Sequence, residues 1–330
     1  MKAIIPVAGI GTRLRTHAQT QPKALIPIAG KPILAHIVES LINAGINDFI
    51  FIIGYMGDKI ESYITGHYPH IKSSFVIQTT GKGVGHAIWL AKDLIPNNEE
   101  ILVVFGDTIV DVNLQSVIHS DTSALGVKKV EDPRQFGVAE LDKEGFITRM
   151  VEKPTIPKTN LALVGIYKIK ESQKLLEALE NNISQKLKTH NEFTLTDAMM
   201  SMINGGVKFK TFDVDYWYDC GKKEVLLETN SILLNRLNYD TSKYQFENTI
   251  IIPPVFIGEG CEIKNSIIGP NVSVGDHAIL DYAILKESII GPYAQIKHAI
   301  LDHSLIGNDA LFIGMKQSLN IGDSTEINFG

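Results

Sequence analysis

At 330 residues the chain is too long for one ordinary core, and about 150 residues per domain suggests two domains. Hydrophobic residues at 44% and charged residues at 21% are ordinary globular values and exclude wholesale disorder. With 31 Lys+Arg against 37 Asp+Glu the formal charge is −6, which argues against a nucleic-acid partner, since phosphate backbones are held by clustered positive charge.

In chain order, Ala3–Val7 is a short apolar run ending in the glycine-rich loop Ala8-Gly9-Ile10-Gly11. Lys31-Pro32 opens a helical pattern with Ile33, Leu34, Ile37, Leu41 and Ile42 on one face, stopped by Gly45. Phe49–Ile53 reads as a buried strand, Asp58–Tyr68 as a helix, Phe75–Gln78 as a strand and His86–Leu94 as a helix. Ile101–Phe105 is the next apolar strand, with Gly106-Asp107 directly after it. This alternation predicts βαβ units and a Rossmann-like, mostly parallel sheet, with ligands beyond the carboxyl ends of its strands. From Ser123 to Asp219 short strands mix with a helix near Ser172–Asn181, read as a continuation of the same α/β domain.

The last 80 residues carry a different pattern. An aliphatic residue followed by Gly, Asp or Lys recurs every five or six positions, as at Ile257-Gly258, Ile263-Lys264, Ile268-Gly269, Val274-Gly275, Ile290-Gly291, Ile306-Gly307 and Ile321-Gly322. Such hexapeptide steps predict a parallel β-helix in which three steps, roughly 18 residues, make one coil. The polar stretch Leu237–Asn248 breaks both patterns and is expected to serve as linker and lid. The predicted division is 1–236 for the α/β domain, 237–248 for the linker and 249–330 for the β-helix.

The N-terminal loop carries the main chemical signal. A dinucleotide-binding GxGxxG would need its third glycine where Leu14 stands, and no GK[ST] of a P-loop is present. What stands instead is Gly9-Ile10-Gly11-Thr12-Arg13-Leu14, with Pro22-Lys23 following. Glycines let backbone N–H groups approach phosphate oxygens while Arg13 and Lys23 bring fixed charge, a combination suited to a polyphosphate. Residues 9–27 resemble the signature G-x-G-T-R-L-x-P-x-T-x-x-x-P-K-x-L-x-P of the sugar-1-phosphate nucleotidyltransferases, or NDP-sugar pyrophosphorylases. Thr16 and Ala18 depart from that pattern. Gln78 with Gly83-Val84-Gly85-His86-Ala87, Gly106-Asp107, Phe136-Gly137-Val138, Val151-Glu152-Lys153-Pro154, Val164-Gly165 and Trp217-Tyr218-Asp219-Cys220-Gly221 extend the resemblance in order to about residue 235. Several branches of this family also carry a C-terminal left-handed β-helix.

The resemblance implies a reaction in which a sugar 1-phosphate oxygen attacks the α-phosphorus of a nucleoside triphosphate and expels pyrophosphate. Arg13, Lys23 and Lys153 are the implied catalytic cations. Ala8, Gly9, Gly11, Thr12, Gln78 and Gly83 are the implied nucleotide contacts. Gly137, Glu152, Lys153 and Val164 are the implied sugar contacts, and Asp107 and Asp219 the implied ligands of Mg²⁺, a hard cation suited to carboxylate and phosphate oxygens. Thr196 near Glu192 fits a sugar-side segment of the family or, equally, an N-cap for a helix Asp197–Ile203. The segment Gly83–Ala87 resembles uridylyltransferases and Gly221–Asn230 resembles thymidylyltransferases. UTP and dTTP therefore both stand, with glucose 1-phosphate as the default sugar.

Rival readings fit less well. A catalytically silent regulatory or assembly subunit predicts loss of a metal carboxylate or loop cation, and none is missing. A nicotinamide-dependent dehydrogenase needs a glycine at position 14. A pure acyltransferase leaves the first 235 residues unexplained, and His277, His298 and His303 in the β-helix are weaker candidates for a second site than for a structural or oligomerising tail. The two cysteines, Cys220 and Cys261, form no CxxC pair. No apolar stretch approaches the roughly 20 residues that cross a bilayer. A cytoplasmic homo-oligomer without membrane partner is expected.

Overall fold

The structure, a computed structural model, describes residues 1–9, 11–14 and 17–315. Thr16 and the repeat step at Ile321-Gly322 lie outside the described residues. The chain forms two compact units, Met1–Pro27 with Lys31–Leu226, and Ile28–Gly30 with the residues from Leu227 onward. No helix among the described residues is long and apolar enough to cross a membrane.

The first unit is built on a nine-stranded mixed sheet. Lys2–Pro6 pairs in parallel with Asp48–Ile53 and with Ile101–Val104, and Asp48–Ile53 pairs in parallel with Lys72–Ile77. Leu161–Ile169 then adds antiparallel to Ile101–Val104 and leads to Gly137–Leu141 and Ile147–Glu152. Ser123–Lys129 runs antiparallel beside Leu161–Ile169, and Phe209–Asp213 pairs in parallel with Ser123–Lys129. The central strands are buried almost throughout, as their unbroken apolar runs require of a sheet covered on both faces. The helix Ile33–Asn43 presents Ile33, Leu34, Ile37, Val38 and Leu41 to the core at helical spacing. Each fully buried aliphatic side chain of this kind contributes about 1.5–3 kcal/mol.

The elements His86–Leu94 and Phe75–Gln78 are displaced from their sequence expectations. The helix runs from Val84 to Leu90 and ends before a separate turn at Lys92–Leu94, and the strand runs from Lys72 to Ile77. Gln78 therefore stands just past a strand end. The four parallel strands end at Pro6, Ile53, Ile77 and Val104, so Ala8-Gly9, Gln78 and Asp107 all lie beyond carboxyl ends, where open α/β sheets take ligands.

The second unit is a solenoid of parallel strands in two ladders. Ile250 lies beside Ile267 and Val255 beside Val272, seventeen positions apart. From Ile279 beside Gln295 and Ile284 beside Ile300 the spacing is sixteen. The coil is thus shorter than the expected 18, because some steps have five residues. Val255, Ile257, Ile263, Ile268, Val274, Leu280, Leu285, Ile290 and Ile296 fill its interior, with Ala278, Ala283, Ala294 and Ala299 among them. Tyr244 and Phe246, from the polar stretch, pack on this core, and the Tyr244 hydroxyl both donates to the Ile257 carbonyl (3.1 Å) and accepts from the Ile257 N–H (3.0 Å).

Asn230, 1% exposed, is the polar knot of this unit. Its Oδ1 accepts from the Ala29 N–H at 2.8 Å and from the Ser273 hydroxyl at 2.6 Å, and its Nδ2 donates to the Asn271 carbonyl at 3.2 Å. Truncation strands two buried donors and one acceptor, each costing about 1–3 kcal/mol. Asn230→Ala should therefore lower unfolding free energy by about 2–4 kcal/mol in urea titrations. Unchanged stability would mean that these groups are satisfied another way.

Candidate active site

The cations of the N-terminal loop meet the two aspartates. Asp107 precedes the strand Thr108–Asp111, which pairs antiparallel with Tyr216–Asp219 in a register that sets Asp219 opposite Thr108. The Cys220 N–H donates to the Asp107 carbonyl at 3.0 Å, so backbone bonds hold the two acids side by side. Lys23, whose side chain is 12% exposed, places Nζ 2.5 Å from Asp107 Oδ2, and Arg13 Nη1 lies 3.8 Å from Asp219 Oδ2. A Cβ added at Gly221 would stand 3.1 Å from Asp219 Oδ1, 3.3 Å from Lys23 Nζ and 3.5 Å from Arg13 Nη1. Four charged groups therefore crowd one corner, and the absence of a side chain at Gly221 makes room for them.

The field in this corner is not fully balanced. Burial raises the Asp219 carboxyl above the ordinary range and the Asp107 carboxylate raises it further, against the opposing pull of Lys23, Arg13 and Lys222. A carboxyl that resists ionisation beside a second carboxylate suits an additional cation. Thr12 lies in the turn Thr12–Leu14, where the Leu14 N–H returns to the Gly11 carbonyl at 2.9 Å. At Gly9 an added Cβ would meet no atom of the described residues within 4 Å apart from its chain neighbours, so open space, not packing, accompanies the glycine among them.

Gln78 and Gly83 are also brought together. Gln78 Nε2 lies 3.2 Å from the Gly83 carbonyl and 3.2 Å from His86 Nδ1. Gly83 has φ +96°, and an added Cβ would stand 2.6 Å from the Phe193 carbonyl, so glycine is required twice over. That close approach zips Lys82–Gly85 to Phe193 through Phe193 N–H to Lys82 O (2.9 Å) and Gly85 N–H to Phe193 O (2.8 Å). Phe193 was not among the candidates read from sequence. The glycines at 83 and 85 signal a close neighbour there without naming it.

The sugar-side candidates form a second group. Glu152 is in register with Gly137, and the Thr196 hydroxyl donates to Glu152 Oε2 at 2.6 Å. Thr196 is therefore not the helix cap. The helix runs Leu195–Asn204, and Thr194 caps it by accepting from the Asp197 N–H at 3.1 Å. Lys153 is half-exposed, with Nζ 3.9 Å from Glu152 Oε1 and φ +43°. Val164 is 1% exposed, so its side chain is core and only its main chain is available to a ligand. There the pairing with Ser123–Lys129 is interrupted between Leu163 and Tyr167, and Gly165 instead accepts from Phe105 N–H at 2.8 Å. The Phe136 ring meets Trp217 edge-on at 4.6 Å, tying the approach to Gly137 to the strand that ends at Asp219.

A family model described as nucleotidyl transferase matches residues 2–236, and one described as GlmU-like, C-terminal hexapeptide matches residues 236–324. The chain is 38% identical over 264 residues to the bifunctional protein GlmU of Methanocaldococcus jannaschii, covering 79% of this chain and 61% of that one. It thus spans about three fifths of that relative's length. It is 28% identical to the low-salt glycan biosynthesis nucleotidyltransferase Agl11 of Haloferax volcanii, covering 99% of each chain. It is 29% identical to a glucose-1-phosphate thymidylyltransferase of Streptomyces griseus, covering 90% of this chain and 82% of that one. Among solved structures, a UDP-glucose pyrophosphorylase complexed with UDP-glucose superposes with TM-score 0.63 at 27% identity, covering 71% of this chain and 98% of that one.

A raised carboxyl has a consequence for stability. A group that holds its proton more tightly when folded contributes stability at low pH and loses it as pH rises through the folded value. Asp219 therefore destabilises the folded protein at neutral pH. Asp219→Asn should raise the melting temperature at pH 7, and the gain should vanish near pH 3. A gain that is equal at both pH values would place its origin outside this titration.

Proposed function

The chain belongs to the nucleotidyl transferase family, and on that premise we propose that residues 1–236 transfer the nucleotidyl group of a pyrimidine nucleoside triphosphate, dTTP or UTP, to a sugar 1-phosphate. Glucose 1-phosphate is the proposed sugar, and an NDP-sugar and pyrophosphate are the products. The observation that carries this reading is the corner where Lys23 faces Asp107 and Arg13 faces Asp219. The names of the thymidylyltransferase relative and the UDP-glucose-bound neighbour support the pyrimidine and the hexose.

The chemistry asks little covalent help of the protein. A phosphate monoester has a second pKa of about 6 and is largely ionised at neutral pH, so the nucleophile needs no general base. The difficulty is bringing two anions together while charge grows on the leaving pyrophosphate, and positioning with charge neutralisation meets it. Arg13 and Lys23 hold the triphosphate's negative charge, and Lys153 takes the sugar phosphate. Glu152, acceptor-only when ionised, receives sugar hydroxyls and is held in place by the Thr196 hydroxyl. Gly137 and the main chain at Val164 complete the sugar side. Gln78, with backbone groups at Ala8, Gly9, Gly11, Thr12 and Gly83, binds the nucleotide.

The acidic pair fits a divalent cation. Among the described residues no cluster of three or more His, Cys, Asp or Glu side chains forms a closed metal cage. Two carboxylates suit Mg²⁺, which keeps waters and takes its remaining oxygens from phosphates. Asp107 and Asp219 would hold it, and when bound it supplies neutralising charge to the phosphates. The β-helix from residue 249 is proposed to support a homo-oligomer, and the chain to work in the cytoplasm without nucleic-acid or membrane partners.

The test is pyrophosphate release with Mg²⁺ across four triphosphates and several sugar 1-phosphates. Release is expected with UTP or dTTP and glucose 1-phosphate, and none with any pair would favour a catalytically silent subunit. Asp107→Asn should lower kcat by at least about a hundredfold with the fold intact by circular dichroism. Glu152→Gln should act chiefly on KM for the sugar phosphate, and an effect confined to the nucleotide KM would remove Glu152 from the sugar side.

A further inference from the structure

His86 is buried, at 9% exposure. Its ring lies between Trp89, at 5.9 Å between centroids, and Phe193, at 6.4 Å in a stacked arrangement. Packing alone does not account for Nδ1, which sits 3.2 Å from the Gln78 carboxamide.

The orientation of that carboxamide follows from its neighbours. The Gly83 carbonyl can only accept, so the Gln78 group 3.2 Å away is the NH₂ and not the oxygen. One amide hydrogen goes there. The same nitrogen reaches His86 Nδ1, which must then carry a lone pair, leaving the ring proton on Nε2. Both amide hydrogens are spent inside the protein. Turning the amide over would set Oε1 against the Gly83 oxygen, exchanging that attraction for a repulsion whichever ring nitrogen of His86 carries the proton.

We infer that His86 is a positioning residue that locks the Gln78 carboxamide, leaving Oε1 as the one group Gln78 offers to a base. The inference rests on the nucleotide reading of this site. Oε1 is an acceptor and selects a base that carries a ring N–H on its pairing edge. Uracil and thymine do so at N3, whereas cytosine presents a lone pair at that nitrogen and adenine presents one at N1. The uncharged state of His86 is kept by its surroundings, since burial and the neighbouring Lys82 both lower its basicity. The ring is kept in place by Phe193, which is itself bonded to Lys82 and Gly85 on the loop that carries Gly83.

The experiment is calorimetric titration of the whole chain with UTP, dTTP and CTP in Mg²⁺, alongside steady-state kinetics and melting curves. The wild type should bind UTP or dTTP at least about a hundredfold tighter than CTP. His86→Phe, which keeps the ring but removes Nδ1, should weaken uridine or thymidine triphosphate about tenfold and narrow the gap to CTP by a similar factor. The loss should fall on the nucleotide KM far more than on kcat. His86→Asn, whose Oδ1 can accept from Gln78, should recover part of the loss. A folded His86→Phe protein with wild-type affinity and selectivity overturns the inference and leaves the enzyme reading intact. A wild type that binds no triphosphate overturns the nucleotide reading and this inference with it. Should His86→Phe not fold, Gln78→Glu decides, because a carboxylate has no N–H for Gly83 or His86. Pyrimidine triphosphate binding must then be lost, and its retention overturns the inference.

Discussion

The site depends on a short antiparallel pairing, Thr108–Asp111 against Tyr216–Asp219, which forces two carboxylates into one corner. Like charges so placed repel, and burial of Asp219 deprives it of the water that would screen them. The loop cations offset this repulsion in part. Lys23 is largely shielded from solvent beside a half-exposed Asp107, whereas Arg13 at 61% exposure is screened and holds Asp219 only loosely. Arg13 is thus the more readily released of the two cations when an anion enters. On the proposed reading the corner is arranged for charges that arrive with a substrate, and the folded chain bears the electrostatic cost of keeping it ready.

Much of the fold was legible in the sequence because its signals are local. Unbroken apolar runs such as Ile101–Val104 and the helical spacing of Ile33 to Leu41 need no knowledge of partners. The five- and six-residue steps marked the solenoid from periodicity alone. The coil length was not legible to the residue, because insertions and deletions at corners set it. Helix ends were displaced for a similar reason. Thr194 and Thr196 have the same capping chemistry, and only the position of Glu152 on a strand 44 residues earlier decides which of them is drawn away from the helix.

The site was legible in its charges and glycines but not in its couplings. Arg13, Lys23, Asp107 and Asp219 were candidates from the loop motif and the family resemblance, yet their pairing across the unit is a product of strand register. Gln78 was an implied nucleotide contact, and a carboxamide has both a donor and an acceptor to offer. The structure commits the donors to Gly83 and His86, a result of tertiary distance that no spacing rule contains. Phe193 entered only through the two glycines that admit its backbone.

The solenoid meets a different constraint. Its corners hold His277, Tyr282, Glu287, Tyr293, His298 and His303 at φ between 45° and 58°, a region costly for residues other than glycine and asparagine. His277 stacks on Tyr293 and Tyr282 on His298 in successive coils, at 5.0 and 5.1 Å, which returns part of that cost as ring contact. Paired positions in successive coils stand seventeen apart in the first coils and sixteen apart in the later ones, and the ladder runs on unbroken across the change. A corner can therefore absorb a residue gained or lost, whereas the same change inside a strand slips the register of that rung and turns its interior side chains outward. The strands hold the repeat, and the corners take up its variation.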